Sequence, residues 1–153
     1  MVYLGSATAL LAAVVIAVPA TAAETPAVAA KKFVDRLYGN VGPAVPEAQT
    51  YTPELAKLIA RAEAVAQRTE DPDLVGNILC DCQNLEELRA RSSVVSATPA
   101  AASVRVFLTG GAEGPTRFLL KLVHGPSGWR LADAIAEPGG SYAVTLRRSL
   151  AGQ

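Results

Sequence analysis

The spacing of apolar residues changes once along this chain, and that change sets the fold class. In the first half the period is helical. Ala30, Phe33, Val34 and Leu37 fall at i, i+3, i+4 and i+7, with Lys31, Lys32, Asp35 and Arg36 on the opposite face. Thr25-Pro26 supplies an N-cap followed by proline at the first helical position, and Gly39-Asn40 ends the pattern. Thr52-Pro53-Glu54 repeats the start signal. Leu55, Ile59, Ala62 and Val65 then recur at helical spacing to about Thr69, where Asp71-Pro72 stops them. In the second half the period is two. Val104, Val106 and Leu108 alternate with Arg105, Phe107 and Thr109. Over residues 116–124, Phe118, Leu120 and Leu122 alternate with Arg117, Leu119, Lys121 and Val123. Helices followed by a meander of strands predict an α+β domain, with N-terminal helices packed on one face of a curved antiparallel sheet.

The connecting segments complete this reading. Residues 41–51, punctuated by Pro43 and Pro46, read as a loop. Asn84-Leu85-Glu86-Glu87 reads as a capping box that opens a short helix to about Arg91. Residues 92–98 and 129–136 read as further strands, and Gly125-Pro126-Ser127-Gly128 as a turn. The tail, 141–150, fits a last strand or a short helix.

Residues 1–23 carry no charged side chain. The run from Ala7 to Val18 is apolar apart from Thr8, and Pro19 ends it. Ala20-Thr21-Ala22 is an A-x-A site, so the segment reads as a signal peptide in spite of an n-region without Lys or Arg. An uncleaved membrane anchor is the alternative, and would be the chain's one contact with a membrane. Residues 24–153 then form a single secreted, periplasmic domain.

The 14 basic and 14 acidic residues balance to zero. That argues against a strongly basic nucleic-acid surface and against a polybasic membrane module. The balance is uneven along the chain. Residues 24–91 hold 8 basic and 11 acidic side chains, whereas residues 92–153 hold 6 basic and 3 acidic. A partner meeting the sheet half is therefore expected to be neutral or weakly acidic.

Three segments resemble a known family. Phe33-Val34-Asp35-Arg36-Leu37-Tyr38 is similar to an opening "FV…LY" helix, and Gly128-Trp129-Arg130-Leu131-Ala132-Asp133-Ala134-Ile135 to a "GWRI-D-I" strand. Leu79-Cys80-Asp81-Cys82-Gln83-Asn84 stands where that family shows "DP…QD". Together they make the chain resemble the exported bacterial proteins of domain-of-unknown-function family 3828, within the nuclear transport factor two-like (cystatin-like) superfamily. The resemblance implies a cone-like α+β roll with a pocket at its wide end. The family's "DP" is Asn77-Ile78 here, "QD" is Gln83-Asn84, and one Asp near Trp129 is Ala132.

Candidate site residues follow from strand parity and chemistry. Asp133 is expected to share a face with Trp129, Leu131 and Ile135. There it is either a buried carboxylate with a raised pKa or a strand-end acid bonded to Arg105, Arg117 or Arg130. Tyr38, Tyr51, Trp129 and Asp133 make the candidate pocket, while Phe33, Phe107, Phe118 and Trp129 are assigned to the core. Cys80 and Cys82 form a candidate disulfide or redox pair, with free half-buried thiols as the plain alternative. The lone His124 is expected to be solvated at a turn. Neither a metal nor a cofactor is called for.

The first functional reading is a non-enzymatic domain that binds a small molecule or a protein, with a homodimer through the sheet face as one form. The alternatives are an isomerase- or dehydratase-like enzyme, using Asp133 with Tyr38 or Tyr51, and a thiol–disulfide role for the cysteine pair.

Overall fold

A computed structural model describes residues 23–71, 74–80, 88–110 and 114–152. The uncharged leader and the Asn84–Glu87 capping box lie outside the described residues. Helix α1 spans Pro26–Leu37, and the Thr25 hydroxyl accepts from the Val28 N–H at 3.4 Å. Helix α3 spans Pro53–Thr69, and Thr52 caps it by accepting from the Leu55 N–H at 3.3 Å. Gly39, at φ +70, turns the chain away after α1.

Four strands follow: β1 (Arg89–Ala97), β2 (Ala101–Thr109), β3 (Thr116–Gly125) and β4 (Gly128–Ala136). They pair antiparallel in the order β1-β2-β3-β4, the expected meander. One face is apolar. Val104, Val106 and Leu108 of β2, Phe118, Leu120 and Leu122 of β3, and Trp129 and Leu131 of β4 are buried beneath Ala30, Phe33 and Val34 of α1 and Leu55 of α3. Each buried side chain of this size contributes about 1.5–3 kcal/mol. A smaller cluster joins α3 to the last helix through Ala62, Val65, Leu146 and Leu150. Asp35 ties α1 to β1 by accepting from Ser92 Oγ and, at 2.7 Å, from Lys31 Nζ.

The structure departs from the sequence reading in three places and decides a fourth. A short helix, α2 (Glu47–Thr50), interrupts the 41–51 loop and buries Thr50. Arg89–Arg91 are not helical. They pair with Thr109, Leu108 and Phe107, because ladder bonds to β2 outweigh a local capping signal. The ambiguous tail is helix α4 (Tyr142–Ala151), capped by Ser141, whose hydroxyl accepts from the Val144 N–H at 3.0 Å.

The last departure matters most. Leu131 pairs with Leu122 and Asp133 with Lys121, so Ala132 is an extra residue without a partner on β3. A one-residue bulge reverses the facing of every side chain after it. Trp129 and Leu131 face the core, and beyond the bulge it is Ala134 that is buried, not Asp133 or Ile135. Asp133 leaves the apolar face and meets α4 instead. Its carboxylate accepts from Ser141 Oγ at 2.5 Å, from the Ala143 N–H at 3.0 Å and from the Ala134 N–H at 2.9 Å. Two of these donors belong to the first turn of α4 and its cap, where a negative charge is favoured.

The Asp133–Ser141 contact should therefore be structural. Asp133→Ala is expected to destabilise the domain by about 1–3 kcal/mol, since it strands a hydroxyl and two N–H groups. Asp133→Asn should fall between the two. Urea unfolding reads both, and an unchanged midpoint in the alanine variant would contradict the assignment.

Candidate functional site

All four strands turn one face toward the helices, so the register also defines the other face. Arg91, Phe107 and Arg117 are direct cross-strand neighbours and form one row. Ser93, Arg105, Leu119 and Ile135 form the next, and Ser96, Ser103, Lys121 and Asp133 the third. Alternation along each strand puts these rows opposite the buried ones.

The face is basic. Arg89, Arg91, Arg105, Arg117 and Lys121 lie on it by parity. Lys121 Nζ donates to Ser103 Oγ at 3.1 Å and leans away from its neighbour Asp133. Arg105 is paired with Glu137, Nε and Nη2 donating to its two carboxylate oxygens at 3.1 and 3.4 Å. That pair is partly exposed, so it contributes only about 0–1 kcal/mol and serves mainly to orient the guanidinium. The Arg117 guanidinium sits 5.7 Å from the centroid of the Phe107 ring, within the range of a cation–π contact. Among the described residues, neither Arg91 nor Arg117 has a carboxylate within ion-pair distance.

Arg91, Ser92, Ser93, Arg105, Phe107 and Arg117 line a hollow of about 300 Å³ that opens widely to solvent. Guanidinium forks match planar carboxylate and phosphate oxygens, and the Phe107 ring gives the hollow an apolar floor. Residue type alone assigns Phe107 to the core. The structure places it, half-buried, on the open face. Its alternation with Val106 and Leu108 already carried that information. Arg91 was hidden by its assignment to a helix.

The residues of the expected pocket each have partners of their own. Tyr38 is held under the 74–80 segment, its hydroxyl donating to the Leu79 carbonyl at 2.7 Å. Tyr51 forms a parallel bridge with Leu131 along the free edge of β4. Trp129 is buried near the start of β4, edge-to-face with the exposed His124 ring at 4.9 Å. The three Asp133 contacts go to Ser141, Ala143 and Ala134, and none to Arg105, Arg117 or Arg130. Arg130 donates instead to the Ala48 and Tyr51 carbonyls, both at 3.1 Å. Cys80 is buried and disulfide-bonded, and Cys82 lies outside the described residues.

A second basic groove, about 500 Å³, runs between α3 and α4 along Arg61, Ala64, Val65, Arg68 and Leu150. The described residues hold no cluster of three or more His, Cys, Asp or Glu side chains suited to a metal. None of their helices is long and apolar enough to cross a membrane. The chain matches no family model, no curated protein and no solved structure.

Tyr38 and Tyr142 tie the 74–80 segment to the ends of α1 and α4. Tyr142 donates to the Gly76 carbonyl at 2.8 Å. Burial first, then the nearby Tyr51 and Glu63, push its phenol up to about 12. Burial likewise raises Tyr38, and burial with the carboxylates of Glu47 and Glu63 raises Tyr51. Folding thus favours the neutral phenols. Their contribution is complete below the unfolded value of 10.0 and is lost as the pH rises from there toward about 12. The urea midpoint should fall across that window, and less steeply in Tyr142→Phe. A midpoint that stays level through it would show that these phenols are not shielded.

Proposed function

We propose that this chain is a secreted, non-enzymatic binding domain whose ligand is an anionic group held on the open face of the sheet. The observation that carries the reading is the Arg91–Phe107–Arg117 row. It sets two guanidiniums, neither with a carboxylate within ion-pair distance among the described residues, in one cross-strand row with an aromatic ring on the face opposite the core. Arginines left without a carboxylate partner in a concave, partly apolar surface are more useful to a ligand than to stability.

Two further features support this reading. The apolar run before Pro19 and the Ala20-Thr21-Ala22 site suit export. The order of helices followed by a meander is the one expected of a cone-like relative of family 3828. The enzymatic alternative needs an acid and a tyrosine to converge, and Asp133 already serves the N-terminus of α4.

A thermal-shift series with multivalent anions such as citrate and pyrophosphate tests the assignment. At about five times Kd, linkage adds roughly 1 kcal/mol, which raises Tm by a few degrees. The rise should vanish in Arg91→Ala/Arg117→Ala and persist in Tyr51→Phe. A rise that survives the double variant would move the site elsewhere.

A further inference from the structure

We infer that the natural occupant of this face is an extended acidic peptide segment of a partner protein, whose carboxylates engage Arg91 and Arg117 on either side of Phe107. The inference rests on the reading of the open face as an anion-binding site and names the kind of anion.

Four observations select this class. First, the hollow opens widely to solvent. A free small ligand usually buries most of its surface in its pocket, whereas a side chain carried by a larger partner need not. Second, the face already binds a carboxylate: Glu137 sits on the Arg105 fork through both oxygens. Third, that same Glu137, paired with the lining residue Arg105, puts a negative charge beside the hollow. It opposes a phosphate of higher charge more than it opposes a single carboxylate. Fourth, Phe107 is the one aromatic ring among the residues lining the hollow, whereas single-strand nucleic-acid sites stack successive bases on several rings.

The geometry also suggests a spacing. Arg91 and Arg117 lie two strands apart, which places their Cα atoms about 10 Å from each other. A polyproline II segment has three residues per turn and rises about 9.3 Å per turn, so side chains at i and i+3 share a face at the matching distance. Glu-x-x-Glu in an extended, proline-containing segment meets that requirement.

The test is an amide NMR titration of the isotope-labelled full chain with four probes. These are a Glu-Pro-Pro-Glu peptide, its Gln-Pro-Pro-Gln counterpart, inorganic pyrophosphate and a thymidine oligonucleotide. The glutamate peptide should shift amides around Phe107 and bind about tenfold or more tightly than the glutamine peptide. Its binding should be lost in Arg91→Glu/Arg117→Glu and kept in Arg147→Glu, on α4. If the double charge reversal fails to give a folded spectrum, Arg91→Gln/Arg117→Gln takes its place. Preferential binding of pyrophosphate or the oligonucleotide, lost in the same variant, would overturn the peptide assignment and leave the anion-binding reading standing. Peptide binding that survives the variant would remove the peptide from this face. Failure of every probe to bind would overturn both.

Discussion

The packing of α1 and α3 onto one face of the meander is the contact on which everything else in this structure depends. Four strands have two faces, and the helices among the described residues serve the buried one. The rows Val104–Leu120–Ala134 and Val106–Phe118–Ala136 are drawn out of water by that contact. Their strand neighbours are turned the opposite way by the same pleat. The basic face is thus the direct geometric counterpart of the core. Arg105 points out because Val104 and Val106 point in.

The edges of the sheet are treated unequally. Along β4 the Thr52 N–H donates to the Leu131 carbonyl at 2.9 Å, and the Ala136 N–H donates to the Gly140 carbonyl at 3.2 Å. With the Tyr51–Leu131 and Ile135–Ser141 bridges, this occupies much of that edge. On β1, the Asn40 side chain donates to the Ala90 carbonyl at 3.0 Å. The exposed arginines and serines of β1, with its bulge at Val95, discourage further strand addition there. A partner is accordingly better received on the face than by extending the sheet.

Much of the fold was legible in the residue order. Thr25-Pro26 and Thr52-Pro53 marked both long helices to the residue, because caps act through their own backbone neighbours. The period-two runs marked β2 and β3 with their buried faces, and β4 as a strand. The errors lie where local and non-local forces compete. At Arg89–Arg91 a helix-start signal lost to pairing with β2. At Phe107 the residue type suggested burial although its parity did not. The expected facing of Asp133 was lost for a related reason. Counting in twos along β4 puts Asp133 on the core face, and the count does not survive the extra residue at Ala132. Of the basic face, the sequence disclosed the surplus of positive charge after residue 92 but not its concentration on one surface.

The sequence by itself determined the α+β class, the helix starts, the meander and the apolar stripes, since each depends on periods and caps spanning only a few residues. Only the tertiary structure decided which register the strands take, where the Ala132 bulge falls, and that Arg91, Phe107 and Arg117 become neighbours. Those residues are 16 and 10 positions apart along the chain. Their meeting is set by ladder register, which side-chain packing across the whole sheet fixes and no local pattern records.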